Sequence, residues 1–290
     1  MEFLQPRSLA DALAARAERP QAVPIAGGTD VMVELNFDRE RPPALLDLSR
    51  VAELAAWDRE DGRLRVGAGV TYTRTIAELA GPLPGLALAS RTVGSPQIRN
   101  RGTIGGNLGS ASPAGDCHPV LLAAGAEVEL ASAAGTRRVP ADRFFTGPKE
   151  SALGPAELIR AVSVPAATGP QQFAKIGTRN AMVIALCSFA LVLDPGHGRV
   201  GTGIGSAGPT PLRARAAERF LQDELDTEGL WDSRGPIGDA AAGRFGELVA
   251  AAAEPIDDVR GTAAYRVHAL GVLARRTLAW AWADYRAGKG

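Results

Sequence analysis

The sequence has few of the residues that usually carry catalysis and metal binding. Among 290 residues only Cys117 and Cys187 are cysteines, and only His118, His197 and His268 are histidines. Two thiols exclude a disulfide framework and a four-cysteine zinc or iron–sulfur site. The histidines are far apart and lack metal-ligand spacing. A charge excess is also missing, because 32 Lys+Arg balance 32 Asp+Glu. That removes the basic surplus on which nucleic-acid binding and polybasic membrane attachment rest. Long hydrophobic runs are absent too. The longest, residues 181–193, is interrupted by Ser188. It is shorter than the roughly 20 residues of a spanning helix, so no transmembrane segment is expected. Residues 1–20 carry Asp11, Arg16 and Glu18 where a signal peptide needs an apolar run. The expected location is therefore cytoplasmic. Neither a G-x-S-x-G elbow nor a P-loop is present.

What is present is an ordinary globular composition, 46% hydrophobic and 22% charged. Such a chain folds rather than staying disordered, and its length suits two domains. Ser8 with Asp11 three residues on has the form of a capping box, followed by an apolar face ended by Pro20. Residues 23–26 read as a strand running into Gly27-Gly28-Thr29-Asp30. Val31, Val33 and Leu35 fit a helix or a strand, and a helix with Asp30 near its start is preferred. Strands are expected at 44–48, 64–69, 127–131, 137–139 and 157–164, with a short helix at 75–79. Pro84-Gly85 reads as a breaker. Residues 104–108 read as a glycine-rich turn, and 120–124 as part of a helix. A boundary falls near 166–171. Beyond it, 173–176, 184–193 and 200–206 read as strands. A helix is expected over 211–221 with Thr210 as N-cap. The last helix, about 262–286, is expected to carry Tyr265, Ala269, Leu273, Thr277 and Trp280 on one stripe, with one of Trp280 and Trp282 in the core. Strands mixed with separate helices indicate an α+β fold.

Two segments carry the strongest chemical signal, Ala26-Gly27-Gly28-Thr29-Asp30 and Thr103-Ile104-Gly105-Gly106-Asn107. Paired glycines let backbone N–H groups turn toward an anion, and a following helix start adds a positive dipole end. Two such segments on different loops can cradle a pyrophosphate from both sides, although each is also compatible with an ordinary tight turn. Substituting Gly28 or Gly106 by a β-branched residue would then abolish retention of the ligand. Gly203-Ile204-Gly205-Ser206-Ala207-Gly208 matches G-x-G-x-x-G but is not read as a dinucleotide fingerprint, because Pro209 and Pro211 break the helix that must follow. Cys117-His118 could pair as nucleophile and base, but adjacent residues rarely share one active geometry.

Four blocks in order give the chain a resemblance to a family. They are Pro24-Ile25-Ala26-Gly27-Gly28-Thr29-Asp30; Thr103-Ile104-Gly105-Gly106-Asn107-Leu108 with Ala111-Ser112-Pro113-Ala114-Gly115-Asp116; Ala207-Gly208-Pro209-Thr210-Pro211-Leu212-Arg213-Ala214; and Ile256-Asp257-Asp258-Val259-Arg260-Gly261-Thr262-Ala263-Ala264-Tyr265-Arg266. The chain resembles the FAD-binding medium subunit of molybdenum hydroxylases, of the carbon monoxide dehydrogenase and xanthine dehydrogenase type.

The resemblance implies a two-subdomain FAD-binding fold of the vanillyl-alcohol-oxidase (PCMH) type plus a C-terminal α+β domain with a small antiparallel sheet. The implied division is 1–168 (subdomains about 1–55 and 56–168) and 169–290. Non-covalent FAD would be held by Ile25, Ala26, Gly27, Gly28, Thr29, Asp30 and Val31, and by Thr103, Ile104, Gly105, Gly106 and Asn107. Ser112 and Asp116 would add polar contacts, Ile159 would cover an adenine or neighbouring face, and Lys175 would approach the flavin. Asp116 and Lys175 would tune the flavin, and no residue need act as acid or base. Some members carry an acid where Val183 stands, a departure that bears on the flavin's surroundings.

The implied function is electron transfer within an oxidoreductase. Electrons would pass from [2Fe–2S] clusters of a small partner subunit to FAD and on to an external acceptor. Molybdopterin would sit on a large partner subunit, in a dimer of heterotrimers. With two cysteines, the clusters must come from a partner. The alternatives are a stand-alone FAD-dependent oxidase, with Cys117 or His118 as a covalent flavin link, and a flavin-free scaffold subunit, against which the intact glycines argue.

Overall fold

A computed structural model describes residues 1–39 and 41–289. The first unit comprises β1 (Glu2–Leu4), α1 (Leu9–Glu18), β2 (Val23–Ile25), α2 (Val31–Asn36) and β3 (Ala44–Asp47). Ser8 caps α1 as its sequence predicts, its Oγ accepting from the Asp11 N–H at 3.1 Å, while the return bond from the Asp11 carboxylate to the Ser8 N–H is absent among the described residues. β3 lies between β1 and β2 and runs parallel to both. A central parallel strand is covered on both faces, which is why Ala44, Leu45, Leu46 and Asp47 are all buried.

The second unit contains β4 (Trp57–Glu60), β5 (Arg63–Gly67), α3 (Tyr72–Glu78), α4 (Pro84–Thr92), α5 (Pro96–Arg101), α6 (Ile104–Ser110) and α7 (Cys117–Ala123). It continues through β6 (Glu127–Ser132), β7 (Gly135–Pro140), α8 (Ala141–Phe144), β8 (Phe145–Gly147), β9 (Glu150–Ser151) and β10 (Leu158–Pro165). Five of its strands form an antiparallel sheet in the order β4-β5-β10-β6-β7. Alternation sends Leu64, Val66, Val128, Leu130 and Val162 into the core. Arg65 and Glu129, of opposite parity, pair at 2.9 Å.

The C-terminal unit has β11 (Gln171–Ile176), β12 (Cys187–Asp194), β13 (Arg199–Gly205), α9 (Arg215–Thr227), α10 (Leu230–Ser233), α11 (Asp239–Ala251) and α12 (Ala263–Arg286). β11-β12-β13 is the small antiparallel sheet. α9 and α12 pack against this sheet, and α7 of the preceding unit packs against it too. β12 is accordingly buried along nearly its whole length. The glycines of β13 follow from this contact. An added Cβ at Gly201 would lie 2.0 Å from the Ala123 carbonyl oxygen, and one at Gly203 would lie 1.9 Å from that of Pro119. The G-x-G-x-x-G match is therefore a close-packing stripe, not a phosphate loop.

Several expectations need correction. Residues 104–108 are not a turn but part of α6. Thr103 Oγ1 caps the Gly106 N–H at 2.9 Å, and Ile104 and Leu108 are buried one turn apart. Burial outweighs the low helix propensity of glycine. Pro84-Gly85 starts α4 rather than breaking a helix, since proline suits the first turn. α9 begins at Arg215, not Pro211, because Leu212 pairs with Ile204 and the Ala214 N–H donates to Thr202 Oγ1 at 3.0 Å. The short helix starts at Tyr72, capped by Thr71, ahead of the expected 75. β12 starts at Cys187, later than the expected 184. On α12, Tyr265 and Trp280 are each 47% exposed, whereas Trp282 is 4% exposed and packs with Trp231 and Tyr285. The buried stripe thus runs through Arg266, Leu270, Leu278 and Trp282 as well as Ala269, Leu273 and Thr277.

Candidate functional site

The turn after β2 and the start of α6 face one cavity of about 610 Å³. That volume suits a cofactor-sized ligand. Ala26, Gly27, Gly28, Thr29, Asp30 and Val31 line it, as do Thr103, Gly105, Gly106 and Asn107, with Ile159 of β10 also in the wall. Ile25 and Ile104 are not in the lining. Ile25 packs its side chain toward Gly28, and Ile104 is core.

The two glycine segments touch. An added Cβ at Gly27 would lie 2.0 Å from the carbonyl oxygen of Arg101, just ahead of the second segment. Gly28 has φ +76°, a left-handed conformation that glycine adopts freely and a β-branched residue does not. It turns the chain into the start of α2.

The backbone donors of the two segments are used differently. The N–H groups of Gly27, Gly28, Thr29, Asp30 and Val31 have no acceptor among the described residues. Asp30 precedes α2 without a side-chain capping bond. This is a run of unspent donors at a positive helix end, facing a cavity. The second segment has spent all its donors but the Thr103 N–H on the protein. Ile104 N–H donates to Val70 O at 3.0 Å, Gly105 N–H to Ala68 O at 2.8 Å, and Asn107 N–H to Thr103 O at 3.0 Å. Gly106 N–H goes to Thr103 Oγ1. Two of its lining residues keep an unused polar group, since the Thr103 N–H has no acceptor and Asn107 Oδ1 is buried without a partner among the described residues.

Ser112, Asp116 and Lys175 lie outside the cavity lining. Ser112 Oγ accepts from the Ala114 N–H at 3.3 Å, fixing its own turn. Asp116 and Lys175 meet each other. Lys175 Nζ donates to Asp116 Oδ2 at 2.6 Å, and Thr92 Oγ1 donates to the same oxygen at 2.9 Å. Burial raises the Asp116 carboxyl above its ordinary pKa, opposed by the charge and hydrogen bond of Lys175. Asp116 Oδ1 is buried and unpartnered. The pair joins β11 to the segment before α7. Val183 packs on Gly177, where an added Cβ would lie 2.3 Å from Val183 Cγ1.

Sequence reasoning missed Ser49, Gly69, Thr71, Asn100 and Arg101, which also line the cavity. Arg101 is informative, because it has no acidic partner among the described residues. Its position next to Gly102-Thr103 was the one local signal. The others come from distant segments that only folding brings together.

Cys117 and His118 do not form a reactive pair. Both are buried in α7. Burial pushes the Cys117 thiol up to about 12 and the His118 imidazole down to about 4. The neutral ring donates from Nε2 to the Asn107 carbonyl at 3.0 Å, which is an oxygen and can only accept.

Comparisons with known proteins agree with this geometry. The family described as FAD binding domain in molybdopterin dehydrogenase matches residues 1–167, and the CO dehydrogenase flavoprotein C-terminal domain matches residues 172–281. The chain is 34% identical over 229 residues to the xanthine dehydrogenase FAD-binding subunit of Escherichia coli O157:H7, covering 74% of this chain and 77% of that one. It is 30% identical over 290 residues to the carbon monoxide dehydrogenase medium chain of Afipia carboxidovorans, covering 96% of this chain and 95% of the relative. The solved carbon monoxide dehydrogenase of Hydrogenophaga pseudoflava superposes with a TM-score of 0.88 at 30% identity, covering 98% of this chain and 97% of that one. The chain belongs to the family of FAD-binding subunits of molybdopterin dehydrogenases, which are oxidoreductases.

Proposed function

We propose that this chain is the FAD-binding electron-transfer subunit of a molybdenum hydroxylase. Bound FAD supplies a centre that exchanges electrons singly or in pairs. In this reading electrons arrive from [2Fe–2S] clusters on a small partner subunit and leave to an external acceptor. A large partner subunit holds molybdopterin, in a cytoplasmic dimer of heterotrimers. The cofactor belongs to residues 1–168 and residues 169–290 form the C-terminal domain.

The observation that carries this reading is the run of unspent N–H donors over residues 27–31 at the cavity. They suit a pyrophosphate, which needs donors without needing net positive charge on the chain. The Arg101 side chain supplies a local cation beside them. Asn107 Oδ1 accepts a hydroxyl or N–H of the ligand, which removes an otherwise orphaned buried acceptor. Leu54, Leu158 and Ile159 shield the apolar part from water. Asp116 and Lys175 form a buried ion pair outside the cavity lining. The perturbed and buried Cys117 and His118 make poor covalent anchors, which supports non-covalent binding. The two thiols in the sequence, both buried, support clusters carried elsewhere.

The test is affinity purification of the tagged chain from its native cell, followed by acid precipitation. The expected result is a yellow complex with a cysteine-rich small chain and a molybdenum-containing large chain, and FAD released to the supernatant. Flavin in the pellet overturns non-covalent binding. Turnover by the chain alone, without partners, overturns the subunit assignment.

A further inference from the structure

Segment 111–116 joins α6, a wall of the cavity, to α7, and it carries Asp116. The C-terminal unit grips it at two points. The Ser206 N–H donates to the Pro113 carbonyl at 2.9 Å. Lys175 Nζ holds Asp116 Oδ2 at 2.6 Å. These tethers leave from different strands, the end of β13 and β11, yet they share one root.

Arg266 Nη1 donates to the Ser206 carbonyl at 2.8 Å and to the Leu186 carbonyl at 2.8 Å. The Leu186 N–H in turn donates to the carbonyl of Ile176, next to Lys175, at 2.8 Å. Arg266 Nη2 pairs with Asp258 Oδ1 at 2.6 Å. The guanidinium is therefore the common anchor of both tethers, and it is buried. Ser206 has φ +58°, a strained conformation for a residue with a side chain, and its own Oγ has no partner among the described residues. Its backbone, not its hydroxyl, is what the fold uses. A single ion pair adds little net stability, whereas a guanidinium whose Nη1 fixes two carbonyls while Nη2 holds a carboxylate adds geometric definition.

We propose that Arg266 is a positioning residue. With Asp258 it fixes both tethers and so sets where segment 111–116, Asp116 included, stands against the cofactor cavity. The consequence for the cofactor rests on the FAD reading above, but the clamp itself does not. Three of the four sequence blocks, those at 103–116, 207–214 and 256–266, thereby meet at or beside one hydrogen-bonded junction.

The test uses the full chain with Arg266→Lys, Arg266→Met and Lys175→Met. The first readout is amide hydrogen exchange without FAD, which reports local opening. Peptides covering 111–116 exchange at least about ten-fold faster in Arg266→Met and by an intermediate factor in Arg266→Lys, while those from β6 and β10 keep their protection. Unchanged exchange at 111–116, with loosening confined to 256–266, overturns the proposal. Arg266→Lys decides by the same criterion where Arg266→Met does not fold.

The second readout is the FAD dissociation constant and the visible absorption band of bound FAD. Because both residues act through one segment, the affinity losses of Arg266→Lys and Lys175→Met do not multiply in the variant that combines them, and both single changes shift the band in the same direction. Losses that multiply independently overturn the positioning role. A wild-type chain that binds no FAD overturns the FAD reading and leaves the exchange result to decide the clamp.

Discussion

The two glycine segments look alike in sequence and do opposite things. Residues 27–31 keep their N–H donors unspent at the mouth of a helix, while residues 104–107 direct theirs into Val70, Ala68 and Thr103. The first leaves amides free for a ligand, and the second uses nearly all of its own to pack. An added Cβ at Gly105 would lie 2.4 Å from Ala68 Cβ, so that glycine permits close approach of α6 to the chain after β5. A Gly-Gly pair by itself therefore does not identify an anion cradle. What identifies it is where the amides end up.

Four measurements sharpen or break this contrast. Gly28→Val forces a branched side chain into a left-handed conformation and should weaken FAD binding by at least about 100-fold, near 2.7 kcal/mol. Fluorescence titration measures it, and unchanged affinity would remove residues 26–31 as the binding segment. Gly105→Ala should act on folding instead. Overpacking against Ala68 costs about 2 kcal/mol in urea unfolding of the apo chain, with FAD affinity of the folded fraction nearly kept. A selective affinity loss there would put the second segment back among the donors.

Asn107→Ala should weaken FAD by about ten-fold, roughly 1.4 kcal/mol, without lowering apo stability, because it deletes an unpaired buried acceptor. Lower apo stability with unaltered affinity would show that Oδ1 faces the protein.

The smallest effect concerns His118, which grips the Asn107 carbonyl. Its folded pKa, about 4, lies below the ordinary value of 6.5. Its contribution is present above the unfolded pKa and lost as pH falls. Apo stability should drop by about 0.7 kcal/mol between about pH 7 and 6 through this group. Asp116, whose carboxyl is raised by burial, works in the opposite sense at lower pH. Subtracting the profile of His118→Phe isolates the histidine slope, and a difference of zero would show that His118 titrates normally.

Much of the fold was legible because the signals were local. Ser8 caps α1, proline and glycine punctuate the loops, and alternation marks β5, β6 and β10. Where the reading failed, tertiary contact had overruled propensity. Residues 104–110 became a helix because Ile104 and Leu108 reach the core, and 211–214 stayed extended because Leu212 found Ile204. In the site, the glycine segments were visible, but Asn100 and Ser49 were not, since neither lies in a motif, and Arg101 was marked only by its place beside the second segment. The alternating glycines of β13 were visible too, yet their reason lay in α7, far away in the chain.

The sequence by itself determined the family, the α+β class and the shortage of thiols that excludes a four-cysteine cluster in this chain, because these depend on residue identity and order. The tertiary structure decided which amides remain free, which carbonyls Arg266 holds and how Asp116 meets Lys175. Those depend on hydrogen-bond accounting across segments 59 to 80 residues apart. No local pattern records which partner a donor will find.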